Sequence, residues 1–268
     1  MNPHHLDRLP WPKIRTYLEN SKTILVPIGS VEQEGSHLPT GFDTHTAQYI
    51  CEQVSEKTGC LIGPPIIMGY SEWFMEFPGT ISFSYELLLQ LIREYCECLF
   101  KHGFRKFVFV SPHHGNREAV AIVGREFRHK GALVSLVDVW RLLEQIGKDL
   151  PELREKKNKH AGEIMTSIAL AIYPEQVELN SVVVEYAKSG ISNAIKPKAS
   201  AGPAEFNGLE IQMFLRGAEV TKSGTLGDPT NASEELGKLL LTKLVDYTVS
   251  FVSEVDKIEP YHTACPQD

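Results

Sequence analysis

Two apolar, β-branched runs, ILVPIGS at 24–30 and KFVFVS at 106–111, each pass without a break into a polar loop. Runs of this length and composition read as buried strands. A third, ALVSLVDV at 132–139, has the same character. With a further strand at 61–67, the four strands of 23–29, 61–67, 106–111 and 132–139 alternate with helix-period segments. Those helices are predicted at 44–58, 85–102, 117–129, 162–172 and 233–255. Gly59 and Gly103 stand where helices stop, and Pro64-Pro65 makes the second strand short or irregular. Strand–helix alternation of this kind implies a three-layer αβα sandwich around a largely parallel sheet, an α/β fold. The length of 268 residues is read as one domain spanning 1–268. The stretch 188–206, rich in Gly, Ser, Pro and Ala, reads as a loop over a site, an oligomer contact or a plain surface loop.

Composition excludes several classes of function. The net charge is −7 with no basic block, which argues against nucleic acid as the main partner. No apolar run approaches the roughly 20 residues that cross a bilayer. The first residues, MNPHHLDRLPWPK, lack an apolar signal core, so a cytoplasmic location is expected. Five cysteines, an odd number at irregular spacing, suit reduced thiols.

The chemistry-bearing residues follow the strands. Glu32 and Glu34 are two apart after the first run, so an extended segment turns both to one side. Asp43 comes nine residues later, past a Pro39–Gly41 turn. Such carboxylates form either a hard-cation site or a solvated acidic surface. Ser111-Pro-His113-His114-Gly-Asn116 is a sharp turn at the end of the 106–111 strand. It offers an imidazole ligand in His113, a substrate contact in His114, and in Asn116 a group that fixes the loop or touches substrate, or else is a simple capping turn. In α/β folds both strand ends open onto one rim, where ligands bind. His160-Ala-Gly-Glu163 opens the 162–172 helix and offers either two groups facing one ligand or an acidic N-terminus complementing the helix dipole. Trp73 and Phe74 wall a substrate pocket, or else pack in an oligomer interface or in the core.

The ordered set E-x-E…D, S-P-H-H-G-N, H-A-G-E and G-x-x-G-D-P-x-x-A-S (224–233) resembles the creatininase family. His37-Leu-Pro39, Gly69-Tyr-Ser71 and Phe77-Pro-Gly-Thr80 add to the likeness, which spans about 24–237. The resemblance implies an αβα fold, a homo-oligomer (a hexamer, for example) and two divalent ions per chain, usually zinc or manganese. Carried over, it makes Glu32 and His113 ligands of one ion, Asp43 a bridge, and Glu163 a ligand of the second. The family places His where this chain has Glu34. A carboxylate there adds charge and a harder donor, which tilts the site toward manganese, iron or magnesium.

That resemblance implies a metal-dependent hydrolase acting on a small non-peptide amide, cyclic amides included. Two close ions lower the pKa of a shared water and polarise the carbonyl. His160 is the expected general acid or base, next to ligand Glu163. The alternatives are a C–C hydrolase opening a cyclic keto-polyol and a non-catalytic metal-binding relative. The expected partner is a small-molecule substrate, with no nucleic acid and no membrane.

Overall fold

The computed structural model describes residues 4–155, 159–188, 192–197 and 202–259. In chain order the elements are α1 (Trp11–Asn20), β1 (Thr23–Pro27), α2 (Phe42–Thr58), β2 (Leu61–Ile62), α3 (Tyr85–His102), β3 (Lys106–Ser111), α4 (Arg117–His129), β4 (Leu133–Asp138), α5 (Val139–Gly147), α6 (Glu163–Ile172), β5 (Ile195–Pro197), β6 (Pro203–Phe206), β7 (Leu209–Gln212), α7 (Gly217–Val220) and α8 (Glu234–Lys257). Short 3-10 turns lie among them, two of which, Glu72–Phe74 and His114–Asn116, border the site.

β1 to β4 form one sheet in the order β2-β1-β3-β4, and every neighbouring pair is parallel. All residues of β1 and β3 are buried, as strands covered on both faces must be. Their side chains alternate between two cores. Leu25, Val108 and Val110 pack with α2, α6 and α8, whereas Ile24, Val26, Phe107 and Phe109 pack with α3 and α4. Burying each of these large side chains contributes about 1.5–3 kcal/mol. Helices on both faces of a parallel sheet are the αβα layering that the alternation implies.

Local signals fix the helix ends. Ser84 Oγ accepts from Leu87 N at the start of α3, and Ser233 Oγ accepts from Leu236 N at the start of α8. Gly103, with φ of 111°, closes α3 in a left-handed cap that only glycine adopts without strain.

Some boundaries differ from expectation. The predicted strand 61–67 is a strand only at Leu61–Ile62, because Pro64 and Pro65 cannot extend the ladder. Pairing resumes as the single bridge Ile28–Ile66. The helix expected at 44–58 starts at Phe42, which puts Asp43 in its first turn. Within 188–206, Ile195–Pro197 and Pro203–Phe206 are not loop but the antiparallel strands β5 and β6, which continue into β7. Residues 189–191 and 198–201 lie outside the described residues, as does Cys265. The other four cysteines are free. No helix among the described residues is long and apolar enough to cross a membrane.

Candidate metal centre

The carboxyl ends of β1 and β3 lie side by side, since Pro27 pairs with Val110. The chain leaving β1 folds into a tight loop closed by Glu32 N donating to the Thr40 carbonyl at 2.9 Å. That closure returns the chain to the N-terminus of α2, so Asp43 comes back beside the loop carrying Glu32 and Glu34. The positive end of the helix dipole favours a carboxylate there. His113, two residues past β3, completes the group. Its Nδ1 is 3.0 Å from Asp43 Oδ2 and its Nε2 is 3.9 Å from Glu32 Oε2.

Glu32, Glu34 and Asp43 are 3%, 1% and 2% exposed, so a solvated acidic surface is excluded. Among the described residues, the only basic side chains within 4 Å of these three carboxylates are the imidazoles of His113 and His160. Glu32 Oε2, both Glu34 oxygens and Asp43 Oδ1 have no hydrogen-bond partner. Buried anionic oxygens without a partner are costly. Burial, opposed by His113 and reinforced by Asp43, raises the Glu32 pKa to about 7. Burial, with Asp43 and Glu32 adding to it, holds the Glu34 carboxyl well above its usual range. Burial alone lowers an imidazole pKa, but Glu32 and Asp43 outweigh it and raise His113 to about 9. The donor set, oxygen-rich with imidazole nitrogen, fits divalent cations and suits the harder ones.

His160 enters from the opposite wall. Its Nε2 lies 3.5 Å from Glu34 Oε2, and one ligating atom each from Glu32, Glu34 and His160 lie within 4.8 Å of one another. The His160 side chain is 16% exposed, against 1% for Glu34. Burial lowers its pKa to about 4, so the ring is neutral near pH 7. Two groups of Gln33 approach the same nitrogen. The Gln33 carbonyl and its Nε2 are each 3.0 Å from His160 Nε2. A proton on Nε2 is donated to the carbonyl, and a lone pair there accepts from the amide. Gly35 N donates to Gln33 Oε1 at 2.9 Å, which fixes the amide's orientation.

The two aromatic residues of the Glu72–Phe74 turn meet the two imidazoles. Trp73 lies against His113 (centroids 6.4 Å) and Phe74 stacks on His160 (4.8 Å, 24°). Trp73 also lines a cleft of about 1170 Å³ with Tyr70, Tyr85, His114, Gly115 and Arg117. A Cβ on Gly115 would come 2.7 Å from His113 Nε2, so the cleft abuts the cluster there.

Several expected roles do not match these positions. Phe74 is fully buried, packed with Val220 and Leu226 and stacked on His160, whereas Trp73 lines the cleft. Asn116 is also fully buried. Its Nδ2 donates to the Gly29 carbonyl and its Oδ1 accepts from Tyr70 N, pinning the β1 exit. His114 is half exposed and lines the cleft. Glu163 is fully buried and its Oε1 has no hydrogen-bond partner, but like Asp43 and His113 it is not one of the three residues whose ligating atoms lie within 4.8 Å of one another. Its Oε2 accepts from Arg154 N (2.8 Å) and Glu155 N (2.6 Å), and Glu155 Oε2 accepts from Glu163 N in return. The one-turn spacing argument fails because His160 is not on the helix. Ala161 has φ of 53° and Gly162 is extended, so α6 starts only at Glu163.

Sequence reasoning missed Gln33. Its signal was its place between two glutamates of an extended loop, where alternation turns it to the other side, toward the wall that holds His160.

Known proteins place this geometry. A mycofactocin precursor peptide peptidase of Mycobacterium ulcerans is 32% identical over 242 residues, covering 86% of this chain and 84% of that protein. A creatinine amidohydrolase of Pseudomonas putida is 27% identical, covering 86% and 88%. A 3-dehydro-scyllo-inosose hydrolase of Thermotoga maritima is 27% identical, covering 91% and 80%. Among solved structures, one of Mn creatininase superposes with a TM-score of 0.77 at 24% identity, covering 95% of this chain and 99% of that chain. A mutant creatininase of Zn–Zn type gives 0.75 at 25% identity, covering 95% and 98%. The model of the creatinine amidohydrolase family matches residues 7–252, and the chain therefore belongs to the creatininase family.

Proposed function

We propose that this creatininase-family hydrolase cleaves the C–N bond of an amide other than a standard peptide bond, at a pair of divalent ions held by Glu32, Glu34, Asp43 and His113. The observation that carries this reading is the set of buried carboxylate oxygens without partners between two imidazoles. Solved relatives described as Mn and Zn–Zn creatininases support manganese or zinc, and the extra carboxylate of Glu34 favours manganese. Bound there, the ions supply an acidified water and a polarised carbonyl.

The chain's own residues do the rest. His160, the more exposed partner, faces a substrate carbonyl placed over the carboxylates. Its Nε2 gives or takes a proton while Gln33 satisfies it in either state, as a group that serves as base and then acid requires. Asp43, held by Ser30 Oγ at 2.8 Å, orients His113. Trp73 presents an aromatic wall to a ring or an extended acyl group.

A second reading, an extended peptide-like amide, is favoured by the cleft of about 1170 Å³, far larger than one small ring needs. The relative named as a precursor peptide peptidase agrees with it. We also propose a homo-oligomer, supported by Leu209 and Phe214, which are 73% and 88% exposed; light scattering tests this. Free thiols at the four described cysteines support a reducing, cytoplasmic setting.

The test is metal analysis followed by a substrate screen of lactams, formamides, acylated dipeptides and cyclic ketones, with Glu32→Gln as the inactive control. Two ions per chain and turnover of an amide are expected. Turnover of cyclic ketones alone would transfer the chemistry to C–C cleavage, and a chain that binds no ion would refute the proposal.

A further inference from the structure

The loop 221–227, which carries the first part of the G-x-x-G-D-P motif, has no group in the reaction, yet it touches both residues that manage the proton. Gly224 O accepts from Gln33 Nε2 at 3.3 Å. Leu226 N donates to the His160 carbonyl at 2.9 Å. Gly224 has φ of +84°, and a Cβ there would run into Gln33 Oε1. The loop is thus the back wall of the Gln33–His160 pair.

One side chain from elsewhere in the chain holds that loop. The Glu185 carboxylate accepts from Thr221 Oγ1 (2.8 Å), Lys222 N (3.1 Å), Ser223 N (2.9 Å) and Ser223 Oγ (2.6 Å). Glu185 N donates to the Gly227 carbonyl, so both ends of the loop are tied to one residue. Burial pushes this carboxyl up, but the bonds from Ser223, Lys222 and Thr221 prevail and hold its pKa at about 2. So many donors on one carboxylate are more than a surface turn needs.

We propose that Glu185 is a positioning residue for His160: it fixes loop 221–227, which fixes Gln33, which holds the His160 imidazole over the carboxylate cluster. The inference rests on the assignment of His160 as the proton carrier. It requires that loosening Glu185 disturb His160 and leave the ion-holding carboxylates alone, because none of the Glu185 contacts reaches Glu32, Glu34, Asp43 or His113.

The test uses the full chain without added metal and compares wild type with Glu185→Ala, Glu185→Gln and Ser223→Ala. Histidine ring-nitrogen NMR is recorded, with His160 assigned by its loss in His160→Gln. In Glu185→Ala the His160 nitrogen signals are expected to shift and broaden as the ring loses its fixed position, with those of His113 in place. Glu185→Gln, which keeps an accepting oxygen, and Ser223→Ala should move them less. Manganese titration followed by electron paramagnetic resonance should give the same number of ions in every variant. Unmoved His160 signals in a folded variant, or equal movement of His113 and His160, would overturn the proposal. Should Glu185→Ala fail to fold, the two milder variants decide the matter in the same way. A wild type that binds no manganese would strike the metal reading and leave the NMR comparison to judge Glu185.

Discussion

At the scale of single residues, the centre divides labour between groups that hold charge and groups that hold orientation. In the proposed centre Glu32, Glu34 and Asp43 are the groups that would hold a cation, since their buried oxygens include ones without a partner. Gln33 supplies orientation, because its backbone and its side chain meet one imidazole nitrogen with opposite polarity. Gln33→Leu keeps the volume and the carbonyl but removes the amide. The variant should fold and bind manganese as wild type does. Its turnover should drop about 10–100-fold, the usual effect of losing a partner behind a functional imidazole. Metal analysis beside steady-state rates checks this, and undiminished turnover would remove Gln33 from the proton path. Gly224 is the complementary case. Gly224→Ala should cost about 1–2 kcal/mol from its left-handed backbone alone and displace Gln33 besides, so denaturant unfolding and rate should both suffer.

At the scale of elements, Glu163 ties the start of α6 to the segment that precedes it. Its carboxylate bonds the backbone of 154–155, and Glu155 answers by capping α6. This reciprocal exchange locks a connecting segment onto the helix start. Glu163→Gln should therefore cost about 1–3 kcal/mol, as expected when a buried charge-assisted acceptor is weakened, and leave manganese stoichiometry unchanged. A lost ion would restore Glu163 as a ligand. The same contrast explains what was legible in the sequence. β1, β3, β4, α3 and α4 are visible because burial on both sheet faces imposes long apolar runs and clear helical stripes. α1 buries no residue fully, yet Ile14, Tyr17 and Leu18 recur at helical spacing and pack against the core, so its stripe is in the sequence although the element was overlooked. β7 is exposed throughout, and its short hairpin partners sit among Gly, Ser and Pro, which mimic a loop. The meeting of Glu32, Glu34, Asp43 and His113 was legible because strand ends converge in a parallel sheet. The hydrogen-bond partners of Glu163 and Asn116 were not, and Glu185 was missed. Their roles depend on hydrogen bonds across 8 to 87 residues of chain and on the left-handed turn at Ala161, neither of which leaves a periodic trace.

At the scale of the whole molecule, the buried carboxylates couple stability to both protons and metal. In the metal-free chain Glu32 titrates near 7, against an ordinary value of 4.5, and Glu34 is shifted the same way. A carboxyl with a raised folded pKa contributes stability that is full below about 4.5 and is lost as pH rises through about 7. His113, raised to about 9, likewise loses its contribution as pH rises past 6.5 and through 9. His37 and His160, lowered to about 4 by burial, act oppositely, since their contribution is lost as pH falls from 6.5 through 4. His37 should affect the free and the loaded chain alike, so comparing the two at each pH largely cancels it. What remains is the competition of manganese with the protons on Glu32, Glu34 and His113. The rise in melting temperature on adding manganese should therefore be small at pH 5 and grow steadily to pH 8. At one hundred times the dissociation constant, each ion adds about 2.7 kcal/mol, which is roughly 5–10 °C for a chain of this size. Scanning calorimetry with and without manganese at four pH values measures the increment. A rise that stays flat or shrinks toward pH 8 would mean that these buried groups are not the ones the ion displaces protons from, and the centre would have to be sought elsewhere in the fold.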